Sequence, residues 1–236
     1  MPKDIDYNKI VIFTGAGVSA ESGIRTFRDL NGYWKEFSIE EVATPCAWKN
    51  NPEAVLSFYN ERREIACKAE PNEAHFSIAA LEKKYDVIVI TQNVDDLHER
   101  AGSSNVIHLH GELGKARSTS GNEKAYSING NAISIGDLCP NGSQLRPHIV
   151  WFGEDIQNYE EAMQHIKLAG RIMVVGTSLN VYPAAGMLKK ARHRADKVLI
   201  TLDVDKRPYG YNYLQSKATE MVPFIVERWL KGLKST

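Results

Sequence analysis

Cysteine is nearly missing from this sequence: 236 residues contain three, Cys46, Cys67 and Cys139. No two stand close enough to form a CxxC pair, so neither a disulfide framework nor a four-cysteine zinc site is encoded. Sparse, unpaired thiols fit a reducing compartment. Long apolar runs are also missing, none approaching the roughly 20 residues that span a bilayer. The opening stretch Met1-Pro2-Lys3-Asp4-Ile5-Asp6 is charged and lacks an apolar core, so no secretion signal is expected. Neither sign of charge is in excess, since 29 Lys plus Arg face 29 Asp plus Glu. That argues against a general nucleic-acid or anionic-membrane binder. No internal repeat or low-complexity tract stands out. The expected protein is soluble and cytoplasmic, a monomer without nucleic-acid or membrane partners.

What is present is an alternation. Short β-branched runs read as buried parallel strands at Lys9–Thr14, Asp86–Thr91, Asn105–Leu109, Arg171–Val175 and Lys197–Leu202. Helical spacing fills Pro52–Ala66, Ala74–Lys83, Tyr159–Leu168, Ala184–Arg194 and Val222–Lys231. This pattern predicts a doubly wound α/β sheet, whose ligands bind beyond the carboxyl ends of the strands. Two stretches break the pattern, about 30–80 with helices and no clear strand, and about 114–147, rich in Ser, Asn and Gly. They read as two pieces of a smaller inserted module, leaving about 1–29, 81–113 and 148–236 for the sheet.

The chemistry-bearing residues follow the strands. Gly15-Ala16-Gly17-Val18-Ser19-Ala20-Glu21-Ser22-Gly23 succeeds the first strand. Small residues there let a pyrophosphate approach the backbone, although a glycine-rich turn also serves simply to connect strand and helix. Thr91-Gln92-Asn93-Val94-Asp95-Asp96 ends the second strand. Its amides and carboxylates suit ribose hydroxyls or a carboxamide, and Asp95 or Asp96 serves equally to start a helix. His108 and His110 point to one face if extended. One of them at a strand end is a candidate general base, against the alternative of a hydrogen-bonded structural histidine. Gly176-Thr177-Ser178 and Leu202-Asp203-Val204-Asp205 follow two further strands.

In this order, the motifs GAGVSAESGIRTFR (15–28), TQNVDDLHERAG (91–102), HLHGEL (108–113), LRPHIVWFGE (145–154) and GTSLNVYPAA (176–185) resemble the sirtuins, NAD-dependent protein lysine deacylases. The resemblance spans most of the chain. It implies a Rossmann-like NAD domain plus a small module, with the active site in the cleft between them. It implies that Gly15, Ala16, Ser19, Glu21, Gly23, Phe27, Arg28 and Trp34 bind NAD, together with Gly176, Thr177, Ser178, Asp203 and Ala218. It places Gln92, Asn93 and Asp95 around the nicotinamide and its ribose, and makes His110 the catalytic base, with Asn93 and Asp95 beside it in catalysis. Val150, Phe152 and Gly153 match the strand on which an acyl-lysine peptide pairs, backbone to backbone. The implied products are nicotinamide, free lysine and O-acyl-ADP-ribose.

A narrower match, Ala43-Thr44-Pro45 with Tyr59 and Arg62, is similar to the branch that removes succinyl and malonyl groups. Tyr59 and Arg62 lie one helical turn apart, and an arginine can hold a carboxylate through two parallel bonds; on a solvated face Arg62 would pair instead with Glu61 or Glu64. The sequence also departs from the family. Most sirtuins carry two CxxC pairs in the small module; here Ser118 and Gly121 stand at the first and only Cys139 remains of the second. No zinc is therefore expected, and packing by Tyr126, Ile128, Ile133, Ile135 and Leu138 should replace it. Asp203 stands where an asparagine is usual, and Ser216 replaces a glycine. Two rivals use the same cofactor: a mono-ADP-ribosyltransferase and a non-catalytic NAD-binding module.

Overall fold

The computed structural model describes residues 5–26, 33–34, 37–121, 124–128 and 130–235, with only the backbone described at 33, 34 and 37. The chain opens with β1 (Lys9–Thr14), β2 (Tyr33–Trp34) and β3 (Phe37–Ser38). Helices α1 (Ile39–Val42), α2 (Pro45–Asn50), α3 (Pro52–Lys68) and α4 (Glu73–Ala80) follow. Then come β4 (Asp86–Thr91), α5 (Leu97–Arg100), β5 (Val106–His108), β6 (Gly111–Ser118), β7 (Tyr126–Ser127) and β8 (Leu145–Ile149). The chain closes with α6 (Tyr159–Leu168), β9 (Arg171–Val175), β10 (Asp196–Ile200), β11 (Asn212–Leu214) and α7 (Ala218–Leu230).

Six strands form one parallel sheet in the order β11-β10-β9-β1-β4-β5. Sequence order runs outward from β1 in both directions, so it reverses between β1 and β9. Ligands of doubly wound sheets bind at this reversal. The sheet is covered on both faces because its strands are apolar at successive positions. Ile10, Ile12, Val89, Met173 and Val175 pack beneath α4 and α7. Val11, Phe13, Ile90, Ile172 and Val174 pack against α6. Each fully buried side chain of this size contributes about 1.5–3 kcal/mol. This is the expected Rossmann-like α/β architecture.

The remaining elements build a second, smaller core. β7-β6-β8 is an antiparallel sheet, and Val42, Ala43, Ala47, Val55, Phe58, Tyr59, Leu113, Ile149 and Trp151 pack together beside it. The helices start where side chains can satisfy free amides. Thr44 Oγ1 accepts from Ala47 N–H at 3.0 Å, Asn51 Oδ1 accepts from Ala54 N–H at 3.1 Å, and a proline follows each.

Several expectations are corrected. The helix read at 184–194 is a shorter 3₁₀ segment, Ala184–Lys190, with Gly186 inside it. β11 was not expected, since three half-buried residues give too little apolar signal. α7 begins four residues before Val222 and tolerates Pro223 inside it. The strand read at Val150–Glu154 ends instead at Ile149, and the chain then turns, with Glu154 N–H donating to Trp151 C=O and Gly153 at φ 95°. Ile133 is buried as expected, but Ile135 and Leu138 lie on the surface. No described helix is long and apolar enough to cross a membrane.

Candidate functional site

Loops from the carboxyl ends of β1, β4, β5 and β9 meet at the reversal point. Gly15 N–H donates to Val175 C=O at 3.0 Å and Gly17 N–H to Gly176 C=O at 2.8 Å. A Cβ on Gly17 would lie 2.7 Å from Gly176 Cα, and one on Gly176 would lie 2.3 Å from Val18 N. Gly176 also has φ of 62°. Only glycine permits this close approach of two backbones, and it leaves a small-residue cradle of the kind that accepts phosphate. Ala16 opens a 3₁₀ turn within that loop, and Gly23 ends the next one in a left-handed conformation.

Polar side chains tie the loops together. Gln92 N–H donates to Thr14 C=O at 2.9 Å, and its side-chain amide donates to Thr177 Oγ1 at 3.1 Å. Ser178 follows, half-buried. Asn93 Nδ2 donates to buried Ser19 Oγ at 3.1 Å. Asp95 is buried next to them and accepts from Leu97 N–H at 3.3 Å, so it does also serve the start of α5. Burial pushes the Asp95 carboxyl up, against the Leu97 amide and Ser19 hydroxyl that favour its charge. Glu21 accepts from Thr219 N–H at 3.1 Å and Thr219 Oγ1 at 2.8 Å, which fastens the first loop to the start of α7 beside Ala218. Asp203 lies in the loop past β10, where its C=O accepts from Thr201 Oγ1 at 3.2 Å. Phe27, Arg28 and the side chain of Trp34 lie outside the described residues.

His110 stands at the centre. Its Nδ1 is 3.0 Å from Gln92 C=O. A carbonyl oxygen only accepts, so Nδ1 carries the proton and Nε2 keeps its lone pair. Burial pushes the ring below the ordinary histidine value, with the Gln92 bond opposing it. The site therefore holds a neutral imidazole, in the state a general base requires.

A second wall comes from the smaller core. Val150 N–H donates to His110 C=O and Phe152 N–H to Ala43 C=O, both at 2.9 Å. These bonds link the turn to His110 and to the end of α1, and Phe152 is half-exposed. Glu154 holds the turn, accepting from Trp151 N–H at 2.8 Å and from Arg146 and Arg117. Burial alone would raise the Glu154 carboxyl; the Arg146 bonds and Trp151 amide outweigh it and hold it low. Arg146 also stacks on Trp151, 3.2 Å from the ring centroid. Sequence reading missed this cluster, although Arg146 and Glu154 frame one motif.

Tyr59 is buried in the same core, which pushes its hydroxyl up. The Arg62 guanidinium lies over Phe58 at 5.5 Å. Burial pulls Arg62 down, while Tyr59, Glu61 and Asp95 favour its charge. Glu64 instead bonds Lys68 at 2.5 Å. Glu99, His108 and Glu112 bring their polar atoms within 4.8 Å of one another. They pair off in the structure, His108 with Glu99 at 2.8 Å and Glu112 with Lys115 at 2.7 Å.

The comparisons with known proteins agree with this geometry. The model of the Sir2 family matches residues 15–183. A relative from Helicobacter pylori (strain ATCC 700392 / 26695), named NAD-dependent protein deacylase, is 52% identical over 186 residues, covering 79% of this chain and 81% of its own. A solved Sir2 homolog–NAD complex superposes with a TM-score of 0.83 at 41% identity, covering 95% of this chain and 90% of that one. A Sir2–p53 peptide–NAD+ structure superposes at 0.76 and 31% identity, covering 94% and 93%. The chain belongs to the Sir2 family, the sirtuins.

Proposed function

We propose that this protein is an NAD-dependent lysine deacylase that removes acetyl and succinyl or malonyl groups from proteins. The observation that carries the reading is the His110 Nδ1 contact with Gln92 C=O, which leaves a basic Nε2 on a ring tied to the residue whose side chain bonds Thr177 of the glycine turn. The cradle fits NAD: two backbones lie in contact at Gly17 and Gly176, where only hydrogen in place of a side chain has room. Bound there, NAD supplies the ADP-ribosyl group that takes up the acyl group as nicotinamide leaves.

The chain's own residues do the rest. Gly15, Ala16, Gly23, Gly176, Thr177 and Ser178 shape the phosphate path, with Glu21 holding the loop to α7 and Ala218. Ser19, Gln92, Asn93 and Asp95 form a buried polar array for the nicotinamide and its ribose. His110 Nε2 removes a proton from a ribose hydroxyl, freeing that oxygen to receive the acyl group. By the family resemblance, Phe27, Arg28 and Trp34 also take part in binding NAD, and Asp203 binds the adenosine ribose. Val150, Phe152 and Gly153 line the acyl-lysine channel, and the substrate peptide lies backbone to backbone along the turn after β8. The protein acts as a cytoplasmic monomer with one sirtuin domain, the smaller core forming its substrate-side module.

Ala43, Tyr59 and Arg62 set the acyl choice. Ala43 leaves room, and Tyr59 and Arg62 receive the carboxylate of a succinyl or malonyl group. Comparing kcat/KM on one peptide carrying acetyl-, malonyl- or succinyl-lysine tests this; turnover of acetyl-lysine alone would refute the acidic-acyl reading.

The residues of the small module do not fit zinc. Cys139 is buried with its thiol directed to Asn141, and the Ser118 and Ser120 hydroxyls bond each other at 2.8 Å. Cys46 and Cys67 are exposed on α2 and α3. One thiol among hydroxyls cannot supply four ligands of the usual kind.

A further inference from the structure

We propose that His108 is a positioning residue of this site: a protonated imidazolium, held by Glu99, that clamps the Asn93 carbonyl and so fixes the loop carrying the catalytic side chains. The inference rests on the deacylase reading and assigns a role to the histidine that reading leaves unused.

His108 and His110 address consecutive carbonyls of one loop. His110 Nδ1 lies 3.0 Å from Gln92 C=O, and His108 Nδ1 lies 3.0 Å from Asn93 C=O. Their other nitrogens separate the two roles. His108 Nε2 sits 2.8 Å from Glu99 Oε1. A carbonyl and a carboxylate both only accept, and a neutral imidazole has one N–H. Both contacts are hydrogen bonds only if His108 carries two protons. The side chain is 7% exposed, so water cannot easily take the place of either partner.

The charged surroundings agree. Glu99 faces the ring from α5 and Glu112 from β6, with Lys115 bonded to Glu112 at 2.7 Å. Asp95 lies on the loop side, and the buried, neutral His98 also interacts with His108 from α5. Burial disfavours charge on His108, but the Glu99 bond and the two glutamates outweigh it, so the ring keeps its proton to higher pH than an ordinary histidine.

The clamp has a mechanical consequence. Asn93 N–H donates to Thr91 Oγ1 at 3.0 Å while its C=O receives the His108 bond. The backbone is thus held on both sides of the side chain that reaches Ser19. Loss of the His108 proton turns one of its two bonds into a contact between lone pairs, and the loop relaxes. Small displacements of a reacting site can cost on the order of 10²-fold in rate. His110 therefore sets the acid limb of activity and His108 the alkaline limb.

The test combines side-chain ¹H–¹⁵N spectra of histidine-labelled protein with pH profiles of kcat/KM for wild type, Glu99→Gln and His108→Asn. Glu99→Gln keeps size and lies at the surface, so it should fold even if His108→Asn does not. The expected wild-type spectrum shows both His108 nitrogens protonated near neutral pH. In Glu99→Gln the ring should titrate at lower pH and the alkaline limb should move down with it, while the acid limb stays. A neutral His108 near neutral pH overturns the proposal, and so does an alkaline limb that stays put while the ring's titration moves. Wild-type protein without any NAD-dependent turnover would refute the deacylase reading instead, and the spectra would still decide the charge on His108.

Discussion

The Nδ1 atom of His110 lies 3.0 Å from the carbonyl oxygen of Gln92. That contact fixes the tautomer and leaves Nε2 as the proton acceptor. Replacing His110 with alanine should therefore lower kcat/KM by about 10²–10⁴-fold, the usual weight of a general base. The sign of the pH effect follows: burial lowers the His110 value, the base form exists above it, and activity falls as pH drops through it. A steady-state profile with an acid limb below the ordinary histidine value, absent in His110→Ala, would match.

Arg62→Met should separate acyl groups. A hydrogen bond to a charged group contributes about 1.5–3 kcal/mol, so desuccinylation should drop roughly 10- to 100-fold. Deacetylation should change little, because an acetyl group has no carboxylate for Arg62 to hold. Equal loss of both activities would show that Arg62 supports the fold rather than the acyl group.

Elemental analysis of purified protein should find far less than one zinc per chain, and chelators should leave activity unchanged. Stoichiometric zinc would contradict the reading of Cys139, Ser118 and Ser120.

Buried neutral histidines make the fold sensitive to acid. His75 and His98 meet edge to face with ring centroids 4.8 Å apart, and His98 Nε2 lies 3.0 Å from Thr14 Oγ1. Burial lowers His75 to about 4 and His98 well below the ordinary value. Between that ordinary value and the lowered ones the unfolded chain binds more protons, so stability falls as pH falls. His75 alone should cost on the order of 3 kcal/mol by its full protonation. Urea titrations from neutral pH down to the acid side should show the loss, and His75→Gln should reduce it. A midpoint independent of pH across that window would contradict the assignment.

Much of this was legible in the residues. β1, β4 and β9 begin and end where the β-branched runs do, because buried parallel strands need continuous apolar sequence. The glycine loop, Gln92, Asn93 and His110 sit at strand ends for the same reason that α/β ligand sites do. What the sequence hides is pairing at a distance. Glu21 with Thr219, 198 residues apart, has no local signature. Spacing alone does not separate His108 from His110 either; the family resemblance singles out His110, and the Glu99 contact to His108, brought over by α5, is made only in the fold. A strand at Val150–Glu154 is what the family resemblance implies, while the Glu154 bonds to Arg146 and Trp151 that hold a turn there are made only in the fold.

The central claim is transfer of an acyl group from lysine to the ADP-ribosyl part of NAD. Its most direct measurement is mass spectrometry of a reaction containing the protein, NAD and a succinyl-lysine peptide with a labelled succinyl group. The account predicts nicotinamide, unmodified peptide and labelled O-succinyl-ADP-ribose in equal amounts. Nicotinamide released with ADP-ribose attached to protein, or intact NAD and peptide after prolonged incubation, would contradict it.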